Sequence, residues 1–312
     1  MTVKYRAAVL RRFGEPFRVY VLEEGEPGEG RVWLRVRATG VCGRDRVVWM
    51  GGFRNLKPPL VLGHEVFGEV EGKPYGVYPA LPGPCGEPHC AILLGEGVPG
   101  GYAEMVQVPR GNLVELPTRD YPRYAAAVCG VATMMHASKV AGVVPGDRVL
   151  VTGSLGGVGI HGIQYLAMIG ARVYAYTRRR DKARILEELG AEPVHSLDFY
   201  REKGRVDVVV EVVGSKTFNE SMRSLRTGGI LVLVGNVEGE PIVIERPALL
   251  VMREIEVKGS AAYTMEEYRQ AVSLVGSGKI KAYYKTYRLE DVNKAYQDMA
   301  EGRILGRAVL VP

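Results

Sequence analysis

The sequence predicts an α/β protein in which an irregular β-rich domain is joined to a doubly wound parallel sheet. Up to about residue 116, short alternating or β-branched runs are cut by glycine and proline, a pattern typical of antiparallel strands. From about residue 148 the apolar runs become nearly continuous and alternate with helical segments, which indicates parallel strands buried on both faces. The length of 312 residues leaves room for two such domains.

Strands of the β-rich part are predicted from side-chain alternation. Residues 31–37 read Arg-Val-Trp-Leu-Arg-Val-Arg, and residues 66–70 read Val-Phe-Gly-Glu-Val. Alternation with period two places one face of such a strand in the core and the other in solvent. The parallel sheet is predicted instead from apolar runs at residues 149–152, 172–176, 206–213 and 230–234, with helices between them at 181–189 and 216–225.

The C-terminal part returns to helix and strand. Residues 264–267, Thr-Met-Glu-Glu, fit a capping box ahead of an amphipathic helix. A further helix is predicted near 289–299, and the run Arg-Ala-Val-Leu-Val at 307–311 predicts a closing strand.

Composition excludes several classes of protein. Charged residues make up 24% and hydrophobic residues 46% of the chain, which is ordinary for a globular protein and excludes wholesale disorder. No apolar run approaches the roughly 20 residues that a membrane helix needs, and the N-terminal apolar patch is too short for a secretory signal. We therefore expect a cytoplasmic protein with no membrane partner, whose four cysteines are reduced. The net charge of +6 is scattered, and no nucleic-acid partner is expected.

A glycine-rich loop follows the strand predicted at 149–152 and precedes helical sequence. Glycines let a backbone approach a pyrophosphate, and a helix N-terminus offers free N–H groups with partial positive charge. The alternative is a tight strand–helix turn that binds nothing. The flanking elements favour a dinucleotide site, formed by Gly153, Ser154, Leu155, Gly156, Gly157, Val158 and Gly159.

The end of the next strand indicates which dinucleotide binds. An NAD site usually carries a carboxylate there for the ribose 2′-hydroxyl, but this strand is followed by Thr177, Arg178 and Arg179. A hydroxyl and guanidinium groups suit a 2′-phosphate. The sequence therefore predicts NADP(H), the alternative being a solvated basic start of a helix.

At this point the chain resembles the medium-chain dehydrogenase/reductase superfamily, among the zinc-type alcohol dehydrogenase relatives, and is similar to its acryloyl-CoA reductase branch in particular. The resemblance spans nearly the whole chain. Its motifs are Gly-Val-Cys-Gly-Arg-Asp at 40–45, Leu-Gly-His-Glu at 62–65, Gly-Tyr-Ala-Glu at 101–104, Pro-Gly-Asp at 145–147, the glycine loop, Val-Gly-Asn-Val at 234–237 and Gly-Arg at 306–307.

The resemblance implies a GroES-like catalytic domain, expected at 1–130 plus 263–312, and a Rossmann domain at 131–262. It also implies assembly as a homodimer or homotetramer. Further cofactor contacts are expected at Thr133, Val213, Gly235, Asn236 and Arg307.

The zinc ligands of the family map onto Cys42, His64 and Cys129, with Glu65 beside them and Asp45 as the partner of His64. Two thiolates and one imidazole would form a three-ligand zinc site with an open position. Taken alone, each of these residues could also serve a purely structural role. Cys129, for example, lies within an alanine-rich run and could be a small buried apolar residue.

One departure from the family pattern concerns catalysis. Alcohol-oxidising members carry serine or threonine two residues after the first ligand, whereas this chain carries Arg44, and the relay histidine position holds Val47. At ~5 Å a guanidinium would repel a divalent ion by about 7 kcal/mol at an effective dielectric constant near 20. The hypothesis is that catalytic zinc binds weakly or not at all and that Arg44 polarises the substrate carbonyl. The alternative is an arginine that points away from the site.

A second metal site is predicted in a short segment rich in glycine and proline, where the family carries a four-cysteine zinc lobe. Cysteine, histidine and carboxylate ligands can complete a zinc tetrahedron. The two cysteines could also form a disulfide or stay free. The candidate ligands, not all used at once, are Cys85, Glu87, His89, Cys90 and Glu96.

Together these features predict an oxidoreductase that uses NADP(H) and transfers hydride to or from a ketone or aldehyde. A first alternative is reduction of an enoyl-CoA, an enone or a quinone, in which Arg44 would stabilise a developing enolate. An alternative of another class is a non-catalytic NADPH-binding protein, which the missing proton relay favours.

Overall fold

The computed structural model describes residues 2–81 and 92–312. The strands, in chain order, are β1 Val3–Val9, β2 Arg18–Glu24, β3 Arg31–Val41, β4 Glu65–Val70, β5 Lys73–Val77, β6 Ala80–Leu81, β7 Ile92–Leu93, β8 Met105–Pro109, β9 Leu113–Glu115, β10 Arg148–Val151, β11 Arg172–Tyr176, β12 Ala191–Val194, β13 Val206–Glu211, β14 Leu225–Leu233, β15 Glu256–Gly259, β16 Tyr284–Arg288 and β17 Arg307–Val311. The helices are α1 Gly43–Trp49, α2 Tyr121–Ala141, α3 Gly157–Met168, α4 Ala183–Glu188, α5 Tyr200–Lys203, α6 Phe218–Ser224, α7 Pro247–Arg253, α8 Met265–Gly276 and α9 Val292–Ala300.

The chain divides into two compact units. The first comprises residues 1–128 and 268–312, and the second comprises residues 129–267. Helix α2 crosses the boundary without a break, so its first two turns belong to the first unit and its remainder to the second.

The first unit is built on a largely antiparallel sheet with the strand order β16-β17-β3-β4-β5-β9, and β8 pairs with the N-terminal half of β3. Strand β3 is long because its first half pairs with β8 and its second half with β17 and β4. Its C-terminal end leads directly into α1, and this junction carries Cys42. The sequence prediction of a β-rich domain is confirmed.

The second unit is a six-stranded parallel sheet in the order β12-β11-β10-β13-β14-β15. Alternate residues of each central strand face opposite sides: Val149 and Val151 pack with side chains of α3, whereas Leu150 packs with those of α6. Burial on both faces explains the near-continuous apolar runs. The prediction of a doubly wound α/β fold is confirmed.

Several predicted elements are shorter in the structure than in the sequence pattern. The run predicted as a strand to Val213 ends at Glu211, because the side chain of Glu211 turns back onto the following backbone N–H groups. The predicted helix at 289–299 begins at Val292, after a 3-10 turn. The capping box is present: the Thr264 N–H donates to Glu267 Oε2 at 2.8 Å, and the Glu267 N–H donates to Thr264 Oγ1 at 3.2 Å.

None of the helices within residues 2–81 and 92–312 combines the length and the apolar character needed to cross a bilayer.

The C-terminal part of the first unit is held by the buried carboxylate of Asp298. It accepts hydrogen bonds from Lys285 Nζ at 2.7 Å and Tyr287 Oη at 2.7 Å on β16, and from Arg303 Nη1 at 2.8 Å. The hydrogen bonds from Lys285 and Tyr287 lower the pKa of Asp298 to about 2. One carboxylate therefore ties α9 to β16 and to the turn before β17.

Replacement of Asp298 by asparagine should therefore lower the midpoint of thermal unfolding at pH 7. A carboxyl whose pKa is depressed in the folded state stabilises the protein above its unfolded pKa and loses that contribution as pH falls through the folded pKa. The difference in midpoint between the native protein and Asp298→Asn should shrink between about pH 4 and pH 2, as followed by circular dichroism. A difference that stays constant over that range would contradict the role of the charge.

Candidate active site

The first half of the site lies where β3 meets α1 and where the loop before β4 ends. Cys42 is the residue before α1, His64 is the residue before β4, and Glu65 is the first residue of β4. His64 and Glu65 are buried, and Cys42 is half-buried. Gly40 leaves room for this arrangement, because a Cβ there would lie 1.8 Å from Glu65 Oε2.

Helix α2 supplies the fourth group. Cys129 stands one residue past Val128 in this uninterrupted helix, so the first turns of α2 within the first unit determine where its thiol lies. The ligand atoms of Cys42, His64, Glu65 and Cys129 all lie within 4.8 Å of one another. The structure thus brings together the three ligands that the family resemblance implies, Cys42, His64 and Cys129, and Glu65 beside them.

Asp45 orients two of these groups. Its Oδ1 lies 3.0 Å from His64 Nδ1, and its Oδ2 accepts the Cys42 N–H at 2.9 Å. Burial opposes a charge on His64, but the Asp45 carboxylate outweighs burial and raises the pKa of the imidazole well above its ordinary value. With Nδ1 engaged, Nε2 is the atom left for a metal, whose charge would take the place of the second proton.

The donor set fits zinc. Two thiols, one imidazole nitrogen and one carboxylate within 4.8 Å offer the sulfur and nitrogen ligands that tetrahedral zinc prefers. The Glu65 carboxylate also forms a buried ion pair, in which Arg307 Nη2 lies 2.9 Å from Glu65 Oε1. Arg307, expected from the family resemblance to contact the cofactor, is thus placed beside Glu65 with about 5% of its side chain exposed.

Arg44 lies on the first turn of α1 and forms a fork with Glu96, in which its Nη2 is 2.9 Å from Glu96 Oε2. Its guanidinium also stacks 4.5 Å over the ring of Phe53. Burial opposes the charge, but Glu96 outweighs burial and holds the pKa of Arg44 above its ordinary value. The guanidinium is therefore a permanent cation, and it is paired with an anion.

The Arg44–Glu96 pair changes two expectations drawn from the sequence. Glu96 was a candidate ligand of the second metal lobe, but its carboxylate is committed to Arg44. A neighbouring anion also opposes the repulsion between Arg44 and a bound cation, which weakens the electrostatic reason for expecting weak zinc binding. The other candidate ligands of that lobe, Cys85, Glu87, His89 and Cys90, lie outside the described residues.

The second unit carries the glycine loop between β10 and α3. Gly153 has a φ of +60°, and a Cβ on Gly159 would lie 2.3 Å from the Gly153 carbonyl oxygen. The first glycine therefore makes the turn and the last lets the helix pack on it. Ser154 is buried and donates from Oγ to the Tyr176 carbonyl at 2.7 Å, which ties the loop to the end of β11. The remaining loop residues, Leu155, Gly156, Gly157 and Val158, form the turn and the first residues of α3.

The residues after β11 differ in how they are engaged. Thr177 is buried, and its Oγ1 accepts the Arg179 N–H at 3.1 Å. Arg179 pairs with Asp181 at 2.8 Å. Arg178 is exposed, and among residues 2–81 and 92–312 none of the ion pairs engages it. Arg178 is thus the cation of this group that is most available to a ligand.

The remaining expected cofactor contacts lie at the ends of the parallel strands and in α2. Thr133 is buried, with Oγ1 at 3.9 Å from Cys129 Sγ. The Val213 N–H donates to Glu211 Oε1, and Asn236 accepts the Ser215 N–H and donates to the Glu240 carbonyl. Gly235 donates its N–H to the Glu211 carbonyl. Their contact with a cofactor stays a prediction.

The sequence did not reveal the role of Glu211, a buried residue on which several hydrogen bonds converge and which we call the Glu211 hub. Its carboxylate accepts hydrogen bonds from the hydroxyls of Thr152 at 2.6 Å, Thr217 at 2.7 Å and Ser221 at 2.6 Å, and from two backbone N–H groups. A lone acidic residue at the end of an apolar run was the available signal. The hub joins the end of β10, directly before the glycine loop, to the start of α6.

The two units and the donor set define a dinucleotide-dependent oxidoreductase with a zinc-type site. A family model described as alcohol dehydrogenase GroES-like domain matches residues 28–118, and one described as zinc-binding dehydrogenase matches residues 157–277. The chain belongs to the medium-chain dehydrogenase/reductase superfamily and is related to acryloyl-CoA reductases within it.

Three similar proteins span almost the whole chain. An acryloyl-coenzyme A reductase from Metallosphaera sedula is 32% identical, over 98% of this chain and 99% of its own length. An alcohol dehydrogenase from Geobacillus stearothermophilus is 31% identical, over 98% and 99%. The structure of a cobalt- and zinc-bound thermostable alcohol dehydrogenase from Pyrobaculum aerophilum is 29% identical, with a TM-score of 0.90, over 99% and 100%.

Metal analysis of the purified chain should detect zinc, and the Cys42→Ala variant should lose about one zinc per chain, because one of the two thiolates among the three expected ligands is removed. Mass spectrometry of metal content is the measurement. Cys90→Ala is the matched control, since it removes a thiol from the second lobe alone. Zinc that survives Cys42→Ala and disappears with Cys90→Ala would assign the metal to that lobe instead.

Proposed function

We propose that the chain is an NADP(H)-dependent oxidoreductase that transfers hydride between the nicotinamide and a small ketone or aldehyde. The observation that carries the proposal is the set of Cys42, His64, Glu65 and Cys129 ligand atoms within 4.8 Å, with Asp45 fixing the histidine. Cys42, His64 and Cys129 would hold zinc, which would supply a Lewis acid for polarising a carbonyl oxygen.

Two further residues, Asp45 and Glu65, position the candidate ligands and set the charge beside them. Asp45 keeps the His64 imidazole and the Cys42 backbone in place. Glu65, paired with Arg307, adds a buried negative charge beside the thiols without leaving an uncompensated anion.

Arg44 acts on the charge that develops on the substrate. Its pKa is too high for proton relay near neutral pH, so its contribution is electrostatic. The fork to Glu96 engages Nε and Nη2 and leaves Nη1 outside it. We assign Nη1 to the substrate oxygen, where a fixed donor stabilises negative charge as it forms.

A second candidate, reduction of a carbon–carbon double bond conjugated to a thioester, is favoured by the same arginine. Hydride would then reach the β-carbon, and the negative charge would move to the thioester oxygen, where a permanent cation stabilises it. The similarity to an acryloyl-coenzyme A reductase over 98% of the chain supports this candidate.

A substrate panel with NADPH separates the candidates. Oxidation of NADPH is followed by absorbance with an aldehyde, a ketone, acryloyl-CoA and a quinone, and the products are identified by mass spectrometry. Formation of an alcohol supports the first candidate, and a saturated thioester supports the second. No turnover with any of the four, despite tight NADPH binding, would favour a non-catalytic protein.

The Arg44→Ala variant should lower kcat about 100- to 1000-fold, the usual cost of removing one donor from a developing oxyanion. The KM for NADPH should stay unchanged, because Arg44 acts on the substrate. Arg44→Lys keeps the charge and should recover part of the rate. An unchanged kcat in Arg44→Ala would contradict the role.

Cofactor preference is tested at Arg178. Arg178→Ala should raise the KM for NADPH about 10-fold or more, because a charge-assisted contact to the 2′-phosphate is lost, and should leave the KM for NADH nearly unchanged. The control is Arg180→Ala, which removes an exposed arginine at the start of the 3-10 helix that follows Arg178. A higher kcat/KM with NADH than with NADPH in the unaltered chain would overturn the preference.

A further inference from the structure

Tyr102 lies on the segment that pairs with the residues preceding His64. The Tyr102 N–H donates to the Leu62 carbonyl at 2.9 Å, and the Gly101 N–H donates to the Gly63 carbonyl at 2.8 Å. These two backbone hydrogen bonds thus fix the position of Tyr102 along the chain segment that precedes His64.

The ring of Tyr102 packs on the residue next to His64. Gly63 has a φ of +98°, and a Cβ there would lie 2.5 Å from Tyr102 Cδ1. Only glycine permits this approach. The aromatic rings of Phe17 and Tyr296 surround Tyr102, with centroids at 5.9 and 6.4 Å, and its side chain is fully buried.

The phenol of Tyr102 ends on Asp45. Tyr102 Oη lies 3.1 Å from Asp45 Oδ2 and 3.4 Å from Tyr296 Oη. Burial and the Asp45 carboxylate raise the pKa of Tyr102 well above its ordinary value. The phenol therefore keeps its proton and donates a hydrogen bond to Asp45 Oδ2. Tyr296 is then the donor to Tyr102.

The carboxylate of Asp45 therefore accepts from three groups on three segments. Oδ1 accepts from His64 Nδ1, while Oδ2 accepts from the Cys42 N–H and from Tyr102. A carboxylate can rotate about its Cβ–Cγ bond, and two donors on one oxygen restrict that rotation. In a buried, apolar surrounding each of these hydrogen bonds is stronger than it would be in water.

We propose that Tyr102 is a positioning residue for the ligand set: its phenol fixes the Asp45 carboxylate, which in turn fixes His64 and the backbone of Cys42. The proposal rests on the proposed zinc-dependent function. It assigns to the Gly-Tyr-Ala-Glu motif a part in holding the metal site that is separate from its strand pairing.

Zinc affinity provides the first test. In the holoenzyme, Tyr102→Phe should raise the Kd for zinc about 3- to 10-fold, the factor expected for one net hydrogen bond, as measured by competition with a chromophoric chelator at fixed pH. Tyr287→Phe is the matched control. It removes a phenol, about 7% exposed, that donates to the buried carboxylate of Asp298 in the same unit. Within the part of the chain that the structure describes, Tyr287 makes no hydrogen bond to Asp45 or to the ligands.

Coupling through Asp45 provides the second test. Asp45→Asn keeps the shape of the side chain but lacks the second acceptor oxygen, and it should weaken zinc binding about 10- to 100-fold. Adding Tyr102→Phe to Asp45→Asn should change the Kd much less than Tyr102→Phe does alone. An equal effect in both backgrounds would show that Tyr102 does not act through Asp45 and would overturn the proposal.

A metal-free readout separates this proposal from the proposed function. In protein labelled with ¹⁵N-histidine, the Nδ1–H resonance of His64, assigned with His64→Gln, should shift in Tyr102→Phe and stay in place in Tyr287→Phe. If that resonance shifts while the unaltered chain retains no zinc, the zinc-dependent function fails and the positioning of His64 stands. If neither the resonance nor the Kd distinguishes Tyr102→Phe from Tyr287→Phe, the positioning role is overturned.

Discussion

The hydrogen bonds that converge on the Asp45 carboxylate are the constraint on which the catalytic half of the molecule depends. Asp45 is buried, so its carboxylate needs hydrogen-bond donors, and these come from the residue before α1, from the loop before β4 and from the segment around Tyr102. These segments are far apart in the chain. A single unsatisfied anion at this place would cost several kcal/mol, so folding of the three segments around it is cooperative.

The second unit solves a related problem with Glu211. Its carboxylate is fully buried, and it accepts hydrogen bonds from hydroxyls and backbone N–H groups of the described residues rather than from a cation. In both units a buried acid holds the loops that carry function, in one unit the metal ligands and in the other the end of β10 that leads into the glycine loop.

The Arg44–Glu96 pair shows that the electrostatic effect of a charged residue cannot be predicted from the sequence without knowing its partner. Arg44 alone implies repulsion of a metal ion, and that inference led to the expectation of weak zinc. Its partner, Glu96, lies 52 residues away in the chain, and no local sequence pattern predicts that these two residues pair. Because the carboxylate of Glu96 pairs with the guanidinium, the two side chains together carry no net charge.

The sequence by itself determined the two-part α/β fold and the dinucleotide loop, which follow from periodicity and glycine placement along the chain. The candidate ligands Cys42, His64 and Cys129, with Glu65 beside them, came from the resemblance of their motifs to those of the family. Only the tertiary structure decided that Glu96 neutralises Arg44, that Arg307 pairs with Glu65 and that Tyr102 reaches Asp45. Each of these contacts joins segments 50 or more residues apart. A long-range pairing depends on register and packing, which are fixed by the whole core and carry no signature in either segment alone.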